Sequence, residues 1–396
     1  MNPGYSQILP LIILFTTIFE KFNYKNFLNL LSINLTIILP FLVISGTIRF
    51  SWEVFLSYII AIIQFSSWIY LVNKSRDYKS LAINLNKVFL IFPYFLLTTQ
   101  VIQIKLPPLY NLIELVKPYT QTVGQARGYP GILPEPGYVG PSLAVSTLCY
   151  FYSKNVIDIF HGKENFYILS RNFKVLSKFF IFISILSLTL SMSFASFISY
   201  VMIIFSFYII NYIPNLIKIK YTIKIKLITT LLIVTLVTFS SLSFLPKSSR
   251  IFYLAANLAK NPSLILTSGD ESASDRFNSA FVGFVAPFFE PLGYGLNGYI
   301  GIFKNCNNPI PSSFNLMCEN EFNSLRNNNV LANFTQDGGF LGLGTVMTLF
   351  LMNSKNILSI KRVLRISTLI IMGILLPFPL GASVYWILCS YILNEL

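Results

Sequence analysis

The chain has 396 residues, 54% of them hydrophobic and 11% charged, with a formal net charge of +14. A soluble domain averages about 25% charged residues. This composition therefore excludes a soluble globular enzyme and describes a polytopic membrane protein with no length left over for a separate soluble domain.

Apolar windows of roughly 15–21 residues, the length that crosses a bilayer as helix, set the expected elements in chain order. The first covers 4–19; no basic stretch precedes it, so it reads as a span and not as a cleavable signal. Further spans are expected at 27–46, 52–72 and 88–104. A long connection at 105–138 follows. It opens with KLPP, read as a turn, and YNLIELVKPY then places Leu112, Ile113, Leu115 and Val116 on a short interfacial helix that ends before Pro118. Arg127 comes next and opens RGYPGILPEPGYVGP, whose prolines and glycines cannot run on as plain helix. The next span is expected at 139–153. The apolar tract 175–212 is too long for one span and divides near Ser191–Ser193, and another span is expected at 227–245.

A second long loop, 246–339, contains an apolar stretch at 251–259 and a run of helix-capping residues, SGDESASDR. Asp275 and Arg276 lead into DRFNSAFVGFVAPFFEPLGYG, in which Phe277, Phe281, Phe284, Val285 and Phe288 fall near helical spacing before Pro291 and the glycines Gly293 and Gly295. A span at 340–354 and a tail, 366–394, divided at PFPLG into two short spans complete the chain. The expected fold is all-α, with about eleven transmembrane helices (ten and twelve are the rival counts) and two long extracytoplasmic loops at 105–138 and 246–339.

The orientation rests on charge. The connections 20–26, 73–87, 154–178, 211–226 and 355–365 hold 19 of the 29 Lys and Arg in 74 residues, whereas the alternate set holds 10 in 133 residues. Basic residues near span ends stay in the cytoplasm, so the two long loops are expected outside. The positive charge then belongs to the cytoplasmic face, where it suits anionic lipid, and nucleic acid is not an expected partner. Cys149 and Cys389 fall in spans as apolar fillers. Cys306 and Cys318 fall in the second outer loop, where an oxidising compartment permits either a disulfide or two free thiols.

No GxGxxG after a strand, P-loop, HExxH or GxSxG is present, and the single histidine, His161, sits in a lysine-rich connection read as a solvated surface. No metal or other cofactor is expected. Chemistry falls to the outer loops. Arginine keeps its charge at any relevant pH and its planar fork fits phosphate oxygens, so Arg127 and Arg276 are candidate diphosphate ligands. Glu135, wedged between Pro134 and Pro136, is a candidate base or acceptor-positioning residue. The plainer alternatives are lone surface cations, a cap at Asp275 and a rigid acidic turn at Glu135.

Arg127 with GYPGILPEPGYVG before a span, the segment DRFNSAFVGFVAPFFEPLGYG, NNNVLANFTQDGGFLGLG leading into the next span, and the tail LPFPLGASVYWIL together resemble the O-antigen polymerase and ligase superfamily of bacterial envelope glycan assembly. The likeness covers roughly residues 88–394; residues 1–87 match only as generic spans. It implies a metal-independent glycosyltransferase in the bacterial cytoplasmic membrane, multi-pass and working on the outer face. Such an enzyme moves a glycan from a polyprenyl-diphosphate carrier to a lipid-linked acceptor sugar, with a chain-length regulator protein as a further candidate partner. On the matching positions, Arg127 and Arg276 would hold the diphosphate, Asp275 would be a further substrate-binding residue, and Gly293 and Gly295 would allow close backbone approach. Ligases of this superfamily resemble one another in using a histidine in the large outer loop, and NNNVLANFTQDGG has none. The polymerase branch is thus favoured over a ligase, and over a flippase or transporter of lipid-linked glycan.

Overall fold

The computed structural model describes residues 24–114, 128–133, 136–161, 171–212, 283, 285–296, 329–354, 360–376 and 383–394. Among these residues the chain is all-helical, with no strand. Ten α-helices have defined bounds: α1 Tyr24–Ile48, α2 Trp52–Ser75, α3 Lys79–Lys105, α4 Pro107–Glu114, α5 Val139–His161, α6 Arg171–Leu190, α7 Phe194–Tyr212, α8 Val330–Asn353, α9 Ile360–Leu375 and α10 Ser383–Leu393. A 3-10 turn, Pro136–Tyr138, precedes α5, and a short helical stretch covers 285–289.

Three of the described helices are long and apolar enough to cross a membrane: Lys25–Ile48, Trp52–Ser75 and Lys79–Lys105. Their surfaces agree with that reading. Ile33, Leu39 and Val43 on α1 and Val88, Ile91 and Phe95 on α3 are all more than 40% exposed. In water, such stripes would forfeit apolar burial at about 25 cal/mol per Å²; against hydrocarbon they cost nothing.

The structure sharpens three expectations. The tract 175–212 does divide where its serines cluster: α6 stops at Leu190, Met192 takes a φ of 46°, and α7 starts at Phe194. The KLPP segment breaks the chain at Leu106, between α3 and α4, and α4 starts at once with Pro107, because proline at the first helical position loses no intrahelical hydrogen bond. Residues 330–339, expected as the end of the second long loop, are the first half of α8 and are buried throughout. Their polar side chains hid this, since a hydropathy window finds only the apolar half after Gly339. The expected spans at 4–19 and 227–245 lie outside the described residues.

The chain divides into two compact units, Met1–Lys74 with Ser263–Glu395, and Ser75–Pro262. In the first unit, the rings of Phe41, Tyr58 and Phe334 meet at 4.8–5.3 Å between centroids, and Phe65 packs on Phe350 and Trp386. A polar ladder joins three of its helices: Asn34 of α1 donates to Ser66 of α2 at 2.9 Å, and Asn353 of α8 donates to Asn34 at 2.8 Å. Side-chain bonds of this kind hold helices together where the surroundings offer no hydrophobic drive.

In the second unit, Leu96, Val139, Leu143 and Leu188 form a core between α3, α5 and α6, with Phe92, Phe197 and Tyr200 packed against it. Pro93 lies inside α3 and lacks the N–H that would bond the carbonyl of Phe89. Ser146 of α5 donates its hydroxyl to that carbonyl at 2.7 Å, and Asn86 donates to the Tyr150 carbonyl at 3.0 Å. The proline in α3 is thereby compensated by its neighbour, as a backbone away from water requires.

Candidate functional site

Each unit contains one of the two Gly/Pro-rich segments singled out in the sequence, and each segment is tied down by hydrogen bonds from its own unit's helices. In the second unit, the residues after Arg127 form a turn in which Gly128, Pro130 and Gly131 are buried. Gly128 has a φ of 83°, and a Cβ there would collide with the Ser191 carbonyl at the α6–α7 break. Tyr129 N–H donates to the Leu190 carbonyl at 3.1 Å. Gln100, fully buried on α3, donates its amide to the Tyr129 and Ser187 carbonyls at 2.8 and 3.0 Å, and its oxygen accepts from the Ser187 hydroxyl at 2.7 Å. Gly131 N–H donates to Gln103, Ile132 N–H donates to the Thr99 hydroxyl oxygen, and Tyr110 of α4 donates to the Gly131 carbonyl. Further on, the Ser196 hydroxyl donates to the Pro136 carbonyl and accepts from Gly140 N–H. A non-helical stretch without a ladder of its own has its backbone polar groups met one by one by α3, α4, α6 and α7.

In the first unit, the turn 291–296 is wedged into a break in α8. Gly339 there has φ 57° and ψ −135°, outside the helical range. In an unbroken helix Phe340 N–H would bond Gln336 and Leu341 N–H would bond Asp337. Here Phe340 N–H donates to the Pro291 carbonyl at 2.9 Å. The freed carbonyls of Gln336 and Asp337 accept from Tyr294 N–H at 2.8 Å and Gly295 N–H at 3.0 Å, and Leu296 N–H donates to the Ser45 carbonyl at 3.2 Å. Turn and helix thus complete each other's backbone. A Cβ on Gly293 would stand 2.5 Å from the Asp337 carbonyl oxygen, and one on Gly295 would stand 2.5 Å from the Arg49 amide nitrogen. The close approaches at these two glycines are therefore to this chain's own backbone.

The same break carries a buried acid. Asp337 is 3% exposed, and the phenol of Tyr58 on α2, itself fully buried, donates to its carboxylate at 2.8 Å. It is the single buried carboxylate among the described residues. Sequence reading put Asp337 in an outer loop and gave it no role; the signal was its place in QDGG, a polar residue just before the helix-breaking glycines. Tyr294 is half buried in the facing turn, and burial first, then the nearby Glu290 charge, raises its phenol above the usual 10.0.

Of the sequence-predicted site residues, Gly293 and Gly295 are described and belong to one turn. Arg127, Glu135, Asp275, Arg276, Cys306 and Cys318 lie outside the described residues. No family model, no curated protein and no solved structure matches this chain.

Proposed function

We propose that the protein is the polymerase of a bacterial cell-surface polysaccharide of the O-antigen kind, a multi-pass enzyme of the cytoplasmic membrane with about eleven spans. In this reading, Arg127 and Arg276 hold the diphosphate of a polyprenyl-linked glycan on the outer face. The glycan passes to the hydroxyl of a lipid-linked acceptor sugar: the new bond forms at the anomeric carbon, and the diphosphate leaves with the electron pair of the old one. Glu135 takes the acceptor proton, and no metal takes part.

The observation that carries the reading is the anchoring of both segments. Arg127 directly precedes a turn, 128–133, whose backbone is bonded to neighbouring helices, and the segment that Arg276 opens ends, further along the chain, in the bonded turn 290–296. A fixed backbone is what lets a cation meet developing charge without reorganising. Segments serving only as exposed connections would have no need of a fully buried glutamine such as Gln100. The resemblance over 88–394 supplies the substrate class.

Arg127→Ala and Arg276→Ala are each expected to abolish long-chain glycan while the protein still inserts, read as the surface glycan ladder of the complemented deletion strain. A normal ladder from either variant would remove that arginine from the reaction. Arg→Lys is expected to rescue poorly, because a point charge does not reproduce two-point contact with phosphate oxygens.

Asp337 favours one second reading. Coupled transporters use buried ionisable groups within helices, so a lipid-linked glycan flippase is the rival. Loss of a polymerase leaves single repeat units on the finished lipid, whereas loss of a flippase leaves none.

A further inference from the structure

We propose that the turn between α1 and α2 binds the headgroup of a lipid that carries both a phosphate and a primary ammonium, that is, a phosphoethanolamine lipid. Arg49 follows the last residue of α1 and Glu53 stands in the first turn of α2. Both side chains are exposed, and neither is in an ion pair among the described residues. Each complements the dipole of the helix end it adjoins, which accounts for its sign but leaves both charges open to a ligand.

The backbone beneath them is rigid. Arg49 N–H donates to the Ser45 carbonyl at 3.1 Å, Leu296 N–H shares that carbonyl, and Gly295 is packed directly on the Arg49 backbone. Three aromatic rings flank the two charges in the chain. Phe50 and Trp52 meet edge to face at 4.9 Å, Phe55 lies 5.7 Å from Trp52, and Phe50 and Trp52 are 50% and 67% exposed.

Exposed aromatics of this kind sit at headgroup level in a bilayer. A cation and an anion four residues apart at that level match a headgroup holding both signs. Arginine takes the phosphate oxygens with its fork, and the carboxylate accepts from the ammonium. A choline nitrogen has no N–H to donate, and a glycerol headgroup has no cation, so neither satisfies Glu53. Lipid binding at this turn is independent of the glycan transfer proposed above.

Trp52 makes the test direct, because the other two tryptophans, Trp68 and Trp386, are 2% and 0% exposed. The full-length protein is reconstituted in vesicles doped at equal mole fraction with brominated phosphatidylethanolamine, phosphatidylcholine or phosphatidylglycerol. Quenching of Trp52 is taken against a W52F background. Quenching by the ethanolamine lipid is expected to exceed that by either other lipid by about twofold to fivefold, the range an exposed ion pair supports. R49Q and E53Q should each bring it down to the phosphatidylcholine level, while Arg49→Lys keeps most of the preference. Equal quenching by all three lipids would reduce the turn to an aromatic anchor. Strongest quenching by phosphatidylglycerol would make it a plain anion site, and a preference that survives in R49Q or E53Q would overturn the proposal.

Discussion

A buried carboxylate is costly unless its charge is met, and Asp337 sits at 3% exposure with the Tyr58 phenol 2.8 Å away. The donor matters more than the ring that carries it. Tyr58→Phe keeps the aromatic contacts with Phe41 and Phe334 but takes a hydrogen bond from a buried charge. The expected loss is about 1.5–3 kcal/mol, read as a lower midpoint of thermal unfolding of the detergent-solubilised protein. An unchanged midpoint would mean that the pair adds nothing to stability. At this scale the sequence was a poor guide. QDGG is four letters in a loop-like stretch, and nothing in it reports that a tyrosine 279 positions earlier points at the aspartate.

At the scale of the element, the irregularities in α8 and α3 are compensated by a neighbour. The break in α8 is filled by the turn 291–296, and Gly339 permits it because a Cβ there would collide with the Pro291 carbonyl and stand 2.6 Å from the Gly293 nitrogen. Gly339→Ala is expected to cost at least about 1–3 kcal/mol, the usual size of one strained backbone position, with a matching drop in unfolding midpoint. A midpoint within error of the parent protein would show that turn and helix do not interlock in solution. In α3 the irregularity is only the N–H that Pro93 lacks, and Ser146→Ala would leave the Phe89 carbonyl without its side-chain donor. A cost of about 0.6–1.7 kcal/mol is expected, in line with side-chain bonds between helices in membranes. Chemical denaturation measures it, and a cost no larger than that of a lipid-facing control such as Val43→Ala would deny Ser146 the role. The glycines and prolines behind these features were visible in the chain. Which partner each one served was not, because the hydrogen bonds join segments far apart in sequence.

For the whole molecule, charge placement is the feature with the longest reach. The excess of Lys and Arg in the connections 20–26, 73–87, 154–178, 211–226 and 355–365 predicts that a topology reporter fused near His161 reports the cytoplasm. An outside signal would invert the orientation of both arginine-bearing segments and withdraw the proposed reaction. The helical class and the break of the tract 175–212 at its serines were both determined by the sequence itself, since hydropathy and proline or glycine punctuation are local properties of a chain that must satisfy its backbone within each helix. Tertiary structure alone decided that 330–339 is buried helix and that Gly293 and Gly339 lock together. It alone placed Asp337 against Tyr58, and Gln100 under the turn that follows Arg127. Such pairings depend on which distant segment fills a gap, and periodicity along one chain has no term for that.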